Sequence, residues 1–160
     1  MATGAEPCGL GRRDLVYRWG PVAVWAASIW LFSTQYFSGE GTSRMLVPLL
    51  EFLLPGAAPE TVLYLHGLLR KLAHVSEFAL LTVLLGRALV RPHRTLAWLA
   101  WRVLPMAAGW AILDEWHQTF VPGRVGAVTD VLVDSVGVLL GSALFVALRP
   151  RFSSGRRSRA

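Results

Sequence analysis

Leu113-Asp114-Glu115-Trp116-His117-Gln118-Thr119-Phe120-Val121-Pro122-Gly123-Arg124, followed by Asp130, Asp134, Gly137 and Gly141, is a polar interruption in an otherwise apolar chain. It joins the end of one apolar run to the start of the next. Ionisable groups at membrane depth are costly, so they face a bundle interior or a polar cavity and mark function. The flanking runs must therefore be helices that fold their polar faces toward one another.

Composition agrees with that reading. Of 160 residues, 54% are hydrophobic and 16% charged, against roughly a quarter charged in average soluble domains. The mean hydropathy is +0.47, and the apolar residues come in runs long enough to span a bilayer. The 7 Trp lie mostly near run ends, as interfacial belts do. The single Cys, Cys8, excludes an internal disulfide framework and a thiolate metal cluster. A net charge of +6 and a pI near 10.7 would suit a nucleic-acid binder. The basic residues, however, sit in tails and connections, where they set membrane topology. No nucleic-acid partner is expected.

Outward from the central stretch, four spans are predicted. Residues 19–37 carry no charge and form the first; without a convincing cleavage site it reads as an uncleaved span rather than a signal peptide. Residues 38–43 read as a loop by their turn chemistry. Residues 44–54 are too short to span and predict a short interfacial helix, ended by Pro55-Gly56. A helical run from about Pro59 leads into the second span, within 71–90. The third lies between Leu96 and Trp116, with Arg102 either snorkelling or placing the start at Val103. The fourth runs from about Val128 to Leu148, and Ser153–Arg159 predicts a disordered tail. The fold class is all-α, an integral membrane four-helix bundle with an interfacial helix between spans one and two. No 20–50-residue repeat and no nucleotide-binding motif is present.

Four spans put both termini on one side. Twelve of the 16 Lys and Arg fall in the tails and the 87–102 connection, leaving Arg44, Arg70, Lys71 and Arg124 opposite. The positive-inside rule then predicts both termini in the cytoplasm and a plasma-membrane location.

At about 100° per residue, Lys71, His74 and Glu77 share one face of the second span. Asp114, Glu115 and Gln118 share an arc of the third, with His117 on the far side from Glu115. Asp130, Asp134, Gly137 and Gly141 form a stripe on the fourth, and the glycine pair permits close helix approach. Pro122-Gly123 makes a tight turn that holds Arg124 nearby. The predicted pocket at the outer leaflet is lined by Lys71, His74, Glu77, Glu115, Gln118, Arg124, Asp130 and Asp134. Each residue also has a plain structural reading. Lys71 can anchor at the interface, Asp130 can face a helix dipole, His117 can face headgroups, and the ion pairs can hold the bundle together.

These residues resemble the VanZ-like membrane protein family. Three pieces carry the resemblance: Trp25 to Gln35, ending Phe32-Ser33-Thr34-Gln35; Lys71-x-x-His74-x-x-Glu77-Phe78; and Glu115-x-x-Gln118-x-Phe120-x-Pro122-Gly123-Arg124 with Asp130, Asp134, Gly137 and Gly141. They cover roughly residues 20–145, and the last is the most specific. The chain departs at Phe78, where Tyr is common, at Asp134, where Asn is frequent, and at Arg70, where an acid often precedes the Lys. The resemblance implies a four-span domain over 19–148 between basic cytoplasmic tails, 1–18 and 149–160. The family takes its name from a glycopeptide-resistance protein, which implies a link to envelope or glycopeptide-antibiotic tolerance; resistance does not transfer on membership alone.

The leading functional expectation is binding, or help in processing, of an anionic lipid-linked envelope component by Lys71 and Arg124. The alternatives are a membrane-embedded hydrolase or transferase, with Glu115 as general base and His74 as its acid/base partner, and a non-catalytic accessory protein with a structural polar network. No metal-ligand motif and no cofactor motif is read, and membrane lipids are the expected partners.

Overall fold

A computed structural model describes residues 11–91, 95–122, 124 and 128–154. The elements are α1 (Arg12–Phe32), a 3-10 turn (Gln35–Phe37), α2 (Gly39–Leu53), α3 (Pro59–Leu89), α4 (Leu96–Gln118) and α5 (Val128–Ser154). No strand occurs among the described residues. Four helices, α1, α3, α4 and α5, are long and apolar enough to cross a membrane.

Local chemistry explains the starts. The Thr95 hydroxyl accepts from Trp98 N at 3.1 Å and caps α4. Pro59 opens α3, where its missing N–H costs nothing. Ser38 accepts from Gly41 N at 3.2 Å and caps α2. The cap corrects the expected loop at 38–43, because it lets the helix begin at Gly39 instead of residue 44. Gly41 then lies so close to the Tyr36 carbonyl that a Cβ there would collide with it.

Other boundaries also move. α4 passes straight through Arg102, so Leu96–Trp101 continue the helix of the third span; Arg102 is exposed and stacks over Trp98 at 4.0 Å. α1 begins at Arg12, inside the expected basic tail, and α5 continues to Ser154. Two residues of the tail expected to be disordered are thus helical, and its remainder lies outside the described residues. α3 is one helix of 31 residues, about 46 Å long and well beyond a hydrocarbon core of about 30 Å. Its amino-terminal part is partly covered by α2 through buried Val62 and His66.

Cross-helix contacts give the directions. Gly137 and Gly141 of α5 lie against the Val75 and Ala79 backbone of α3, and Phe145 packs on Gly86, so α3 and α5 run parallel. Trp30 meets Trp110 at 6.2 Å and Ser33 meets Asp114, so α1 and α4 run parallel. Trp25 Nε1 donates to Glu77 O at 3.0 Å, while Arg18 reaches Ala88 O and Val90 O at 3.4 Å, so α1 opposes α3. The spans alternate in direction. Pro21 withholds the N–H that would pair with Tyr17 O; that carbonyl instead takes a 3.4 Å contact from Arg87 Nη2.

The core between the helices includes Ile29, Phe78, Leu81, Leu85, Val103, Ala107, Val138 and Phe145. Phe52, Trp101, Ile112, Leu132, Leu139 and Leu144 are exposed around the outside. A surface this apolar is suited to lipid and unsuited to water.

Candidate functional site

The alternation brings four helix portions to one end of the bundle: the end of α1, the first half of α3, the end of α4 and the start of α5. Two polar systems occupy that end.

The first ties the bundle together. Asp114 is fully buried and accepts from Ser33 Oγ at 2.6 Å and from Gln118 Nε2 at 2.8 Å. Gln118 Oε1 accepts from Arg124 Nη1 at 2.9 Å. Arg124 Nη2 donates to Phe32 O at 2.7 Å and to Phe37 O at 2.8 Å. The chain from Ser33 to Arg124 therefore satisfies a buried carboxylate and supplies a cation to the carboxyl end of α1, where helix carbonyls lack partners. Burial and the like charge of Arg70 pull the Arg124 guanidinium below its ordinary value, while Asp114, Glu115 and Glu77 act the other way. Arginine nonetheless stays charged. Its Nε is buried with no hydrogen-bond partner among the described residues.

The second system faces a cavity of about 240 Å³, lined by Phe32, Ser33, Phe37, Thr42, Arg70, Ala73, His74, Glu77 and Arg124. His74 Nδ1 lies 3.1 Å from Asp134 Oδ1. A carboxylate only accepts, so Nδ1 carries the hydrogen and Nε2 is left over; no described residue partners it. Asp134 is completely buried behind the ring, and its Oδ2 has no hydrogen-bond partner among the described residues. The close approach at Gly137 and Gly141 is what brings this acid to α3. Across the cavity, Thr42 bonds His66 Nε2 at 3.1 Å and joins α2 to α3. The half-buried Arg70 guanidinium makes no hydrogen bond or ion pair with any described residue.

Of the residues expected from sequence, His74, Glu77 and Arg124 line the cavity, and Asp134 supports it from behind. Gln118 belongs to the chain of bonds that ties the bundle. Glu115 is 5% exposed and buried within the helices, off the cavity wall. Lys71 is exposed and Asp130 half-buried, and neither lines the cavity. His117 stacks on Trp30 at 4.0 Å, away from the cavity. Sequence reasoning misses Arg70, Thr42, Ser33 and Asp114 as site residues. Asp114 has a signal, since it stands four residues before Gln118 on one helix face. Nothing in sequence pairs Ser33 with a residue 81 positions away. Among the described residues, no group of three or more His, Cys, Asp or Glu is placed to hold a metal ion.

Fold and site together define a multi-pass helical membrane protein with a buried polar centre at one end of its bundle. A model of the VanZ/LLP1 family matches residues 19–149, and the chain belongs to that family. No curated protein and no solved structure matches the chain.

Proposed function

We propose that this protein binds an anionic, lipid-linked component of the cell envelope in the Arg70–Arg124 cavity, on the outer side of the cytoplasmic membrane with both termini inside. One observation carries the reading. No described residue bonds the Arg70 guanidinium fork, at a cavity that Arg124 also lines, and such a fork fits carboxylate or phosphate. The Lys and Arg distribution supports the orientation, since the tails and the 87–102 connection hold most of the basic residues. A part in envelope or glycopeptide tolerance would follow from sequestering or presenting that component. Native mass spectrometry of the purified protein tests the reading. Wild type should retain an anionic lipid that an equally stable Arg70→Ala variant loses; the same lipid retained by both overturns it.

The His74–Asp134 pair favours a second reading, in which the bound component is processed. A buried carboxylate holding Nδ1 leaves Nε2 as a positioned base, a better-placed one than Glu115. Asp134→Asn would then abolish turnover of an envelope lipid while leaving its retention intact. Turnover unchanged in that variant would sink this reading.

A further inference from the structure

We propose that the ligand is a phosphate monoester at the head of a membrane lipid, and that Glu77 selects it over a diester. This rests on the anion-binding reading above and narrows it to one chemical class.

The cavity presents two kinds of group. Arg70 offers five N–H donors, none bonded to a described residue. Arg124 spends three hydrogens, one from Nη1 and two from Nη2, and its Nε is buried, which leaves one Nη1 hydrogen for the cavity. Facing these donors are two acceptors. The Glu77 carboxyl accepts no hydrogen bond from any described residue, and in the neutral His74 ring, with Nδ1–H committed to Asp134, Nε2 is an acceptor. The ligand best suited to the cavity is an anion rich in acceptors that can share a proton with Glu77. A carboxylate or a simple diester brings no proton to share and leaves Glu77 to supply it alone.

A phosphate monoester satisfies both demands. It has three unesterified oxygens, two for the Arg70 fork and one for Arg124. Its second pKa near 6 keeps an exchangeable proton available close to neutrality, and that proton lies between a phosphate oxygen and Glu77. Size agrees. About 240 Å³ is below the roughly 300 Å³ at which small-molecule pockets begin, so the cavity takes a terminal head and leaves the lipid chains outside. A diester would bring a second substituent into the same space and offer one oxygen fewer.

The test uses the full-length protein in detergent, offered phosphatidic acid and phosphatidylglycerol at equal concentration, with retained lipid read by native mass spectrometry. Phosphatidylglycerol is a stringent competitor because its head carries hydroxyl donors. Wild type should retain phosphatidic acid in excess on the order of tenfold, equivalent to about 1.4 kcal/mol. Glu77→Gln, which swaps an acceptor-only group for one that also donates, should bring the ratio near unity with thermal stability unchanged. Equal retention of the two lipids by wild type overturns the inference and leaves anion binding standing. Retention of neither overturns both. A preference for phosphatidic acid that survives Glu77→Gln removes Glu77 as the selecting residue and overturns the inference as stated.

Discussion

Arg70 and Lys71 are neighbours in sequence and separate in space. One lines the cavity with a guanidinium that no described residue bonds, and the other is exposed. Arg70→Ala should therefore reduce lipid retention severalfold more than Lys71→Ala, with equal melting temperatures; equal loss in both would place the anion elsewhere. Arg124 behaves differently, because its three hydrogen bonds tie the α4–α5 connection to Phe32 O, Phe37 O and Gln118. Arg124→Ala should cost about 2–4 kcal/mol of stability, since it breaks charged hydrogen bonds and strands their acceptors. Denaturation of the purified variant in detergent measures this, and a change under about 1 kcal/mol would mean that these bonds are too exposed to matter. The two arginines thus have separate roles that sequence merges into one cluster. Arg70 escapes a sequence reading because the Lys71-x-x-His74-x-x-Glu77 spacing looks complete without it, and one residue turns the side chain about 100° around the helix.

At the scale of elements, the α3–α5 seam positions the site. A methyl at Gly137 would press on the Val75 carbonyl and lie 3.0 Å from Phe78 Cβ, and one at Gly141 would meet the Ala79 backbone. Backbone cannot step aside as a flexible side chain can. Gly137→Ala and Gly141→Ala should each cost about 1–3 kcal/mol through overpacking and should separate His74 from Asp134. Gly67 of α3 is the contrast, since an added Cβ meets nothing within 4 Å. Gly67→Ala should be neutral or stabilising by up to about 1 kcal/mol. Thermal unfolding of the three variants side by side checks the seam; a Gly67→Ala loss matching the other two would show that helix packing is not the cause. The glycine stripe is legible from its four-residue spacing. Its partner helix is not, because spacing records which residues share a face and never what that face meets.

For the whole molecule, alternating helix directions and the end-to-end placement of the polar centre make a topological prediction. Reporter fusions at the two termini should lie in the cytoplasm. With Cys8 replaced by Ser, a single cysteine introduced at exposed Glu51 on α2 should be labelled from outside by an impermeant maleimide. Labelling of Glu51→Cys only after permeabilisation would invert the orientation and put the cavity on the cytoplasmic side. α2 is informative because it packs on the long α3 and contributes Thr42 to the cavity wall, so its side of the membrane is the cavity's side.

Sequence alone determined the class of this protein: an all-α chain with four spans, a short helix between the first two, and a concentration of costly polar groups at one end. Those properties follow from run length, periodicity and charge placement, which are one-dimensional quantities. Its spacing also grouped His74, Glu77 and Arg124, which line one cavity in the structure. Only the tertiary structure decided which polar groups are consumed by one another and which are not. Asp114 is satisfied by Ser33 and Gln118, Arg124 is largely spent on Phe32 O, Phe37 O and Gln118, Asp134 stands behind His74, and Arg70 is bonded by no described residue. The physical reason is that a hydrogen bond is settled by distances of about 3 Å between helices that lie far apart in sequence, and helical periodicity holds no information about those distances.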